Sequence, residues 1–237
     1  IIGDIGTDGG AYNTMQFGGS GITEMSVESR LTLTNMTTEA GAKNGIIESD
    51  EKTVQYLTER GASNVSILHG DENAEYSKIF EYEASEIEPT VAKPFSPENI
   101  TVARELSSTE LDKSYIGSCT GAKFEDLLAA AKIMKGKTVK IRTEVLPASI
   151  SIYKKAVKQG LIEIFLDAGA TVGPPTCGAC CGAHMGVLAK DEICVSTTNR
   201  NFPGRMGHID SQTYLASPQV AAASAITGKL TDPRDLN

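Results

Sequence analysis

The sequence has no tryptophan, and aromatic residues make up only 5% of its 237 positions. Its core must therefore be built mainly from Ile, Leu, Val and Ala. Long apolar runs are missing too. No stretch approaches the ~18–20 uninterrupted apolar residues of a membrane span. The opening IIGDIGTDGG shows no basic segment followed by an apolar run, so no secretory leader is visible. It also lacks Met and starts on an apolar pair, which predicts a trimmed chain or a fragment. Positive charge is in deficit, with 22 Lys and Arg against 30 Asp and Glu and a formal net charge of −8. That balance argues against nucleic acid as the main partner, because phosphate binding needs a basic face. An anionic substrate would have to be met by a local basic site. Cysteines number five, an odd count in a chain too long for a small disulfide scaffold, so a reducing compartment fits better.

What is present suits one large domain or two small ones. Hydrophobic residues reach 40% and charged residues 22%, ordinary values for a folded chain with a sizeable core. Residues 1–20 are dense in glycine and predict loop and turn; Gly9 and Gly10 are not framed as a phosphate-binding fingerprint. Helices are expected over 26–42 and 49–60, and strands over 65–68 and 79–84. Three prolines, Pro89, Pro94 and Pro97, mark 88–99 as the candidate linker. Strand and helix then alternate: strands at 113–117, 138–145 and 192–196, helices at 123–135, 149–159, 161–168 and 217–227. That rhythm predicts an α/β fold with a mainly parallel sheet. No internal repeat or low-complexity run is visible.

The chemistry concentrates at 176–205, TCGACCGAHMGVLAKDEICVSTTNRNFPGR, which holds Cys177, Cys180, Cys181 and Cys194. Cys177-Gly-Ala-Cys180 admits three readings: a redox pair, a closed structural zinc site, or an iron–sulfur cluster with one open iron. The redox reading wants the motif at the start of a helix after an early strand, and here it sits late in a Gly/Pro loop. Cys119 follows a predicted strand and precedes a predicted helix, where backbone N–H groups and the helix dipole favour negative charge; it could be a nucleophile, a metal ligand or merely buried. Thr120 is placed to cap that helix. Arg200 and Arg205 flank a Pro-Gly turn and could fork one carboxylate, or simply form a solvated basic loop. Asn35 and Glu39, four apart on a predicted helix, taken alone read as a solvated polar face.

Five ordered blocks give a more specific indication: LTNMTTEAGAKNGIIESDEKT, GSCTGAKFEDLLAAAK, PPTCGACCG, STTNRNFPGRMG and YLASPQVAAASAITGKLTDPRD. In these the chain resembles the aconitase superfamily, and within it the iron–sulfur large subunits of isopropylmalate dehydratases. The resemblance implies two α/β domains of the aconitase iron–sulfur fold, with mainly parallel sheets and flanking helices. Residues 1–88 would form an N-terminally truncated second domain, and residues 89–237 the cluster-binding third domain. It implies a [4Fe–4S] cluster on Cys119, Cys177 and Cys180, leaving one iron open. Arg200 and Arg205 would bind substrate carboxylates, with Asn199 beside them in the cluster environment. Asn35 and Glu39 would be catalytic groups near the cluster and its water. Cys181 and Cys194 would be structural. The implied reaction is dehydration and rehydration that converts 2-isopropylmalate to 3-isopropylmalate, a leucine-biosynthesis step. A separate small subunit would supply a serine base and a further arginine, and the location would be the cytoplasm, or the plastid stroma in a plant or alga.

Departures from the family pattern are visible. Gly121 stands where Asn usually follows Cys-Thr, which would remove a hydrogen bond near the cluster. His69, His184 and His208 do not fall in the family's N-terminal histidine motifs, so the chain by itself would be incomplete and inactive. A homoaconitase or 2,3-dimethylmalate-type hydratase large subunit, and a non-catalytic metal-binding module, remain as alternatives.

Overall fold

A computed structural model describes residues 1–236. Contacts divide the chain into two units: residues 8–87, and residues 1–7 together with residues from 88 onward. The first helical turn, α1 (Ile2–Ile5), thus packs with the larger unit, although the sequence assigned residues 1–88 to one domain. A Cβ on Gly3 would lie 2.3 Å from Ile100 Cδ1, and the Thr7 amide donates to Glu98 Oε2 at 2.8 Å.

The smaller unit opens with β1 (Thr14–Phe17), α2 (Ser20–Glu24) and α3 (Val27–Met36), continued by a 3-10 turn over Thr37–Ala40. β2 (Asn44–Ile47) and α4 (Glu51–Thr58) follow. β1 and β2 pair in parallel, Thr14 with Asn44 through Phe17 with Ile47, so the intervening helices form a crossover. Ser26 caps α3 by accepting from the Ser29 amide at 3.1 Å, and Gly41 stops the following turn in the left-handed region at φ 76°.

Residues 65–68 and 79–84, expected as strands, form none. Residues 79–84 alternate, but neither segment has a neighbouring ladder. Leu68 is instead held by Ser49, whose Oγ accepts from its amide at 2.8 Å, and Ile79 and Phe80 stay exposed.

Asp50 ties the smaller unit together. It caps α4 through the Thr53 amide at 3.0 Å and accepts from Arg30 Nη2 at 2.6 Å, where the guanidinium is buried. The Arg30 hydrogen bond holds the Asp50 carboxyl well below the usual carboxylate range. A carboxyl lowered on folding contributes stability that is present above its unfolded value of about 4 and lost as pH falls through its folded value. Asp50→Ala is expected to cost about 2–3 kcal/mol at neutral pH, from a lost cap and one charge-assisted hydrogen bond, while the guanidinium keeps the Ile22 and Thr23 carbonyls. Amide exchange across residues 26–58 measures it, and the deficit should shrink in acid.

The larger unit holds a sheet in the order β4-β3-β9-β8-β5-β6-β7. Its strands are β3 (Thr90–Ala92), β4 (Ile100–Val102), β5 (Lys113–Ile116), β6 (Arg142–Val145), β7 (Thr171–Val172), β8 (Ile193–Ser196) and β9 (Gln212–Leu215). β5 to β9 all run parallel, and β3 is antiparallel to both of its neighbours. The expected linker at 88–99 therefore contains β3 itself, with Pro94 and Pro97 in the turn to β4. The expected strand at 138–145 starts late: the Val139 and Lys140 amides bond to Ala168 and Ala225 carbonyls at helix ends rather than to a strand.

The helices are the short α5 (Ser118–Gly121), then α6 (Phe124–Met134), α7 (Ile150–Lys158), α8 (Leu161–Asp167) and α9 (Pro218–Thr227). Strand alternation sorts the core onto two faces. Ile116, Val145 and Val195 pack with Leu127, Ala156, Phe165 and Val220 from α6 to α9. Tyr115 and Cys194 point the other way, against the loop residues Ala179, Leu188 and Met206. Among the described residues no helix is long and apolar enough to cross a membrane.

Candidate functional site

Strand order sets the place. From β5 the chain steps to β6 and β7 on one side; β8 and β9 lie on the other. Loops leaving the carboxyl ends of β5 and β8 therefore diverge from a switch point, where open α/β sheets bind ligands. Cys119 follows β5, the C-x-x-C follows β7, and Asn199, Arg200 and Arg205 follow β8.

Ser118 takes a left-handed conformation, φ 78°, and turns the chain sharply so that Cys119 stands exposed at the strand end. Ser118 Oγ accepts from the Thr120 amide at 3.1 Å. Thr197, on the loop after β8, clamps this turn: its Oγ1 accepts from the Gly117 amide at 2.9 Å and faces the Gly117 and Gly121 carbonyls at 2.9 and 3.1 Å. A Cβ on Gly121 would lie 2.3 Å from Thr197 Cβ. The Asn-to-Gly departure therefore coincides with a backbone packed too closely on Thr197 to hold a side chain. Thr120 does not cap α6. Lys123 takes the N-cap position, with Asp126 accepting from its amide at 2.9 Å, and its own ammonium bonds the Thr120 carbonyl.

The C-x-x-C folds as a 3-10 turn over Gly178–Cys181, with the Cys180 amide donating to the Cys177 carbonyl at 2.9 Å. That same carbonyl accepts from the Tyr115 hydroxyl at 2.7 Å. Burial pushes the Tyr115 phenol up, so it stays a neutral donor. Cys177 and Cys181 are exposed and Cys180 is buried, so Cys181 does not pack as the structural cysteine expected of it. Cys194 does: it is fully buried in β8, and burial pushes its thiol up to about 12.

Asn201 fixes the arginine loop. Its buried Nδ2 donates to the Lys93 carbonyl at 2.8 Å and the Thr213 carbonyl at 3.1 Å. Arg205 reaches back to the C-x-x-C, Nη2 lying 4.0 Å from Cys180 Sγ. Its Nε is buried with no hydrogen-bond partner. Burial raises the Cys180 thiol, Arg205 lowers it, and Cys177 and Cys119 raise it again. Arg205 and Cys180 are thus direct neighbours, and Cys119 and Cys177 lie on loops that leave the same end of the sheet. Asn199 and Arg200, both half-buried, begin the same loop. Among the described residues, no three or more His, Cys, Asp or Glu are gathered so as to hold a single metal ion.

Asn35 and Glu39 lie in the smaller unit. Asn35 is in the last turn of α3 and Glu39 in the 3-10 turn that follows. Three residues per turn there, instead of 3.6, change the spacing expected of one continuous helix. Glu39 is buried, which sets aside the solvated face. The clamps missed from the sequence are Tyr115, Thr197 and Asn201. Each works through a contact far along the chain, and local spacing carries no such signal.

Comparison with known proteins is consistent across the chain. A model of the aconitase family (aconitate hydratase) matches residues 1–108 and 100–228. The 3-isopropylmalate dehydratase large subunit of Clostridium kluyveri is 52% identical over 238 residues, covering 100% of this chain and 57% of the relative. The 3-isopropylmalate dehydratase large subunit 1 of Pyrococcus furiosus is 52% identical over 240 residues, covering 99% of this chain and 56% of the relative. The 3-isopropylmalate dehydratase large subunit of Heliobacterium modesticaldum is 49% identical over 237 residues, covering 99% of this chain and 56% of the relative. The chain thus spans somewhat over half the length of the curated relatives it matches.

Proposed function

Because the chain belongs to the aconitase family, we propose that it is the cluster-bearing part of a hydro-lyase large subunit that interconverts 2- and 3-isopropylmalate. The observation that carries this reading is the placement of Cys119, the C-x-x-C and Arg205 on loops that leave the carboxyl ends of parallel strands, with Arg205 Nη2 4.0 Å from Cys180 Sγ. The donor set suits a [4Fe–4S] cluster. Thiolates on different irons stand further apart than ligands around one zinc, each only about 2.3 Å from the ion. The buried, unpartnered Arg205 Nε is a donor that an anionic group would satisfy. When bound, such a cluster supplies an iron with an open position, a Lewis acid toward substrate oxygen.

The chain's own groups supply the rest. Arg200 and Arg205 bind and orient carboxylates, with Asn199 donating beside them. Tyr115, Thr197 and Asn201 keep the loops in place. Asn35 and Glu39 are the proposed catalytic pair of the smaller unit. A small subunit is the proposed partner, as the relatives' names imply a second chain.

Dicarboxylate binding tests the site. With the chain reconstituted with iron and sulfide, titration with 3-isopropylmalate is expected to show Arg200→Lys and Arg205→Lys each weakening affinity about tenfold or more, since a point charge replaces a fork. Affinity unchanged by both substitutions would contradict the assignment.

A further inference from the structure

Beneath the C-x-x-C loop lies a buried ion pair that the proposed reaction does not use. Lys113 is fully buried, and its ammonium stands 2.9 Å from Glu144 Oε2. Taking two charges out of water costs more than their attraction need return, and an apolar pair would often pack as well. The ammonium has a second acceptor, the Gly186 carbonyl. Gly186 has φ 75°, and a Cβ there would lie 2.0 Å from Glu144 Oε2 and 2.5 Å from Lys113 Nζ. The loop backbone therefore lies directly on the pair.

Two residues along the same face of β5, Tyr115 holds the Cys177 carbonyl. Tyr115 also stands opposite Glu144 in the β5–β6 register. One strand thus grips the loop at its entry, Cys177, and at its exit, Gly186, with Cys180 between the two grips. We propose that Lys113 and Tyr115 are positioning residues that hold the C-x-x-C loop in ligating geometry, with Glu144 as the counter-charge that keeps the Lys113 ammonium in place. The inference rests on the proposed function for its purpose, but its geometry stands on the chain alone.

Site-resolved alkylation of the metal-free chain under reducing conditions tests it, so its outcome does not depend on a cluster. Tyr115→Phe removes one hydroxyl and keeps the buried ring. Lys113→Met with Glu144→Leu removes both charges together, which folds are known to tolerate. In each variant Cys180 is expected to label about fivefold faster or more, the change that loss of one hydrogen bond produces. Cys194, fully buried in β8, should stay unlabelled on the same timescale. Cys180 labelling unchanged in both variants would overturn the proposal. So would Cys194 and Cys180 rising together, because that reports general loosening. After iron and sulfide addition, the variants should also show an altered cluster resonance. If the parent chain assembles no cluster at all, the functional reading falls, while the labelling rates still decide whether Lys113 and Tyr115 hold the loop.

Discussion

Replacing Lys113 alone by Met is expected to destabilise the larger unit by about 3–5 kcal/mol, the usual cost of stranding one partner of a buried ion pair. Glu144 is only 8% exposed, so its carboxylate would lose both its counter-charge and most of its access to water. The Gly186 carbonyl would lose its donor in the same step. Lys113→Met with Glu144→Leu should recover most of that loss, because no charge is then left buried without a partner. A surface pair sets the contrast. Arg142 and Glu192 meet at 3.0 Å with Arg142 47% exposed, and Arg142→Ala should cost less than about 1 kcal/mol. Urea unfolding followed by circular dichroism measures all three. A single Lys113 variant as stable as the double one would show that the pair is not the buried anchor described above.

Much of the larger unit could be read from the chain. β5, α6, α7, α8 and α9 fall close to their expected places, because caps such as Ser149 and Ser217 and stops such as Gly160 and Gly228 are local signals. β7 has two residues, too few to show a period, and β9 reads Gln-Thr-Tyr-Leu, half polar and short of apolar anchors. The hairpin of β3 and β4 is hidden by the prolines in its turn. The strands expected at 65–68 and 79–84 show the opposite error, since an apolar or alternating run without a partner strand makes no ladder.

The motifs of the candidate site were legible to a similar depth. The cysteines and arginines stand out as motifs, and the fold carries Cys119, Cys177, Cys180 and Arg205 to one end of the sheet. What holds them was not legible. Tyr115 reaches Cys177 only because β7, which the C-x-x-C follows, lies on the β6 side of β5, one strand beyond β6. Thr197 meets Gly117 and Gly121 only because β8 pairs with β5 on its other side. Such contacts depend on register, which no single window of sequence contains.

The second large effect concerns the thiols themselves. Cys119→Ser, Cys177→Ser and Cys180→Ser are each expected to abolish stable cluster assembly, because a three-thiolate set has no spare ligand. Cys181 is exposed at the end of its turn and Cys194 is sealed inside β8 with its thiol pushed up to about 12. Cys181→Ser and Cys194→Ser should therefore leave assembly intact. Loss of the Cys177 side chain leaves the Tyr115 contact in place, since that bond is to a backbone carbonyl, so a failed assembly would report ligation rather than a disordered loop.

Anaerobic reconstitution of the chain with iron and sulfide, read by its visible and spin-resonance spectra across this series of serine variants, tests the central claim most directly. The predicted result is a cluster signal in the parent chain that disappears with Cys119, Cys177 or Cys180 and survives the loss of Cys181 or Cys194. No signal in the parent chain, or a signal indifferent to Cys177→Ser, would contradict it.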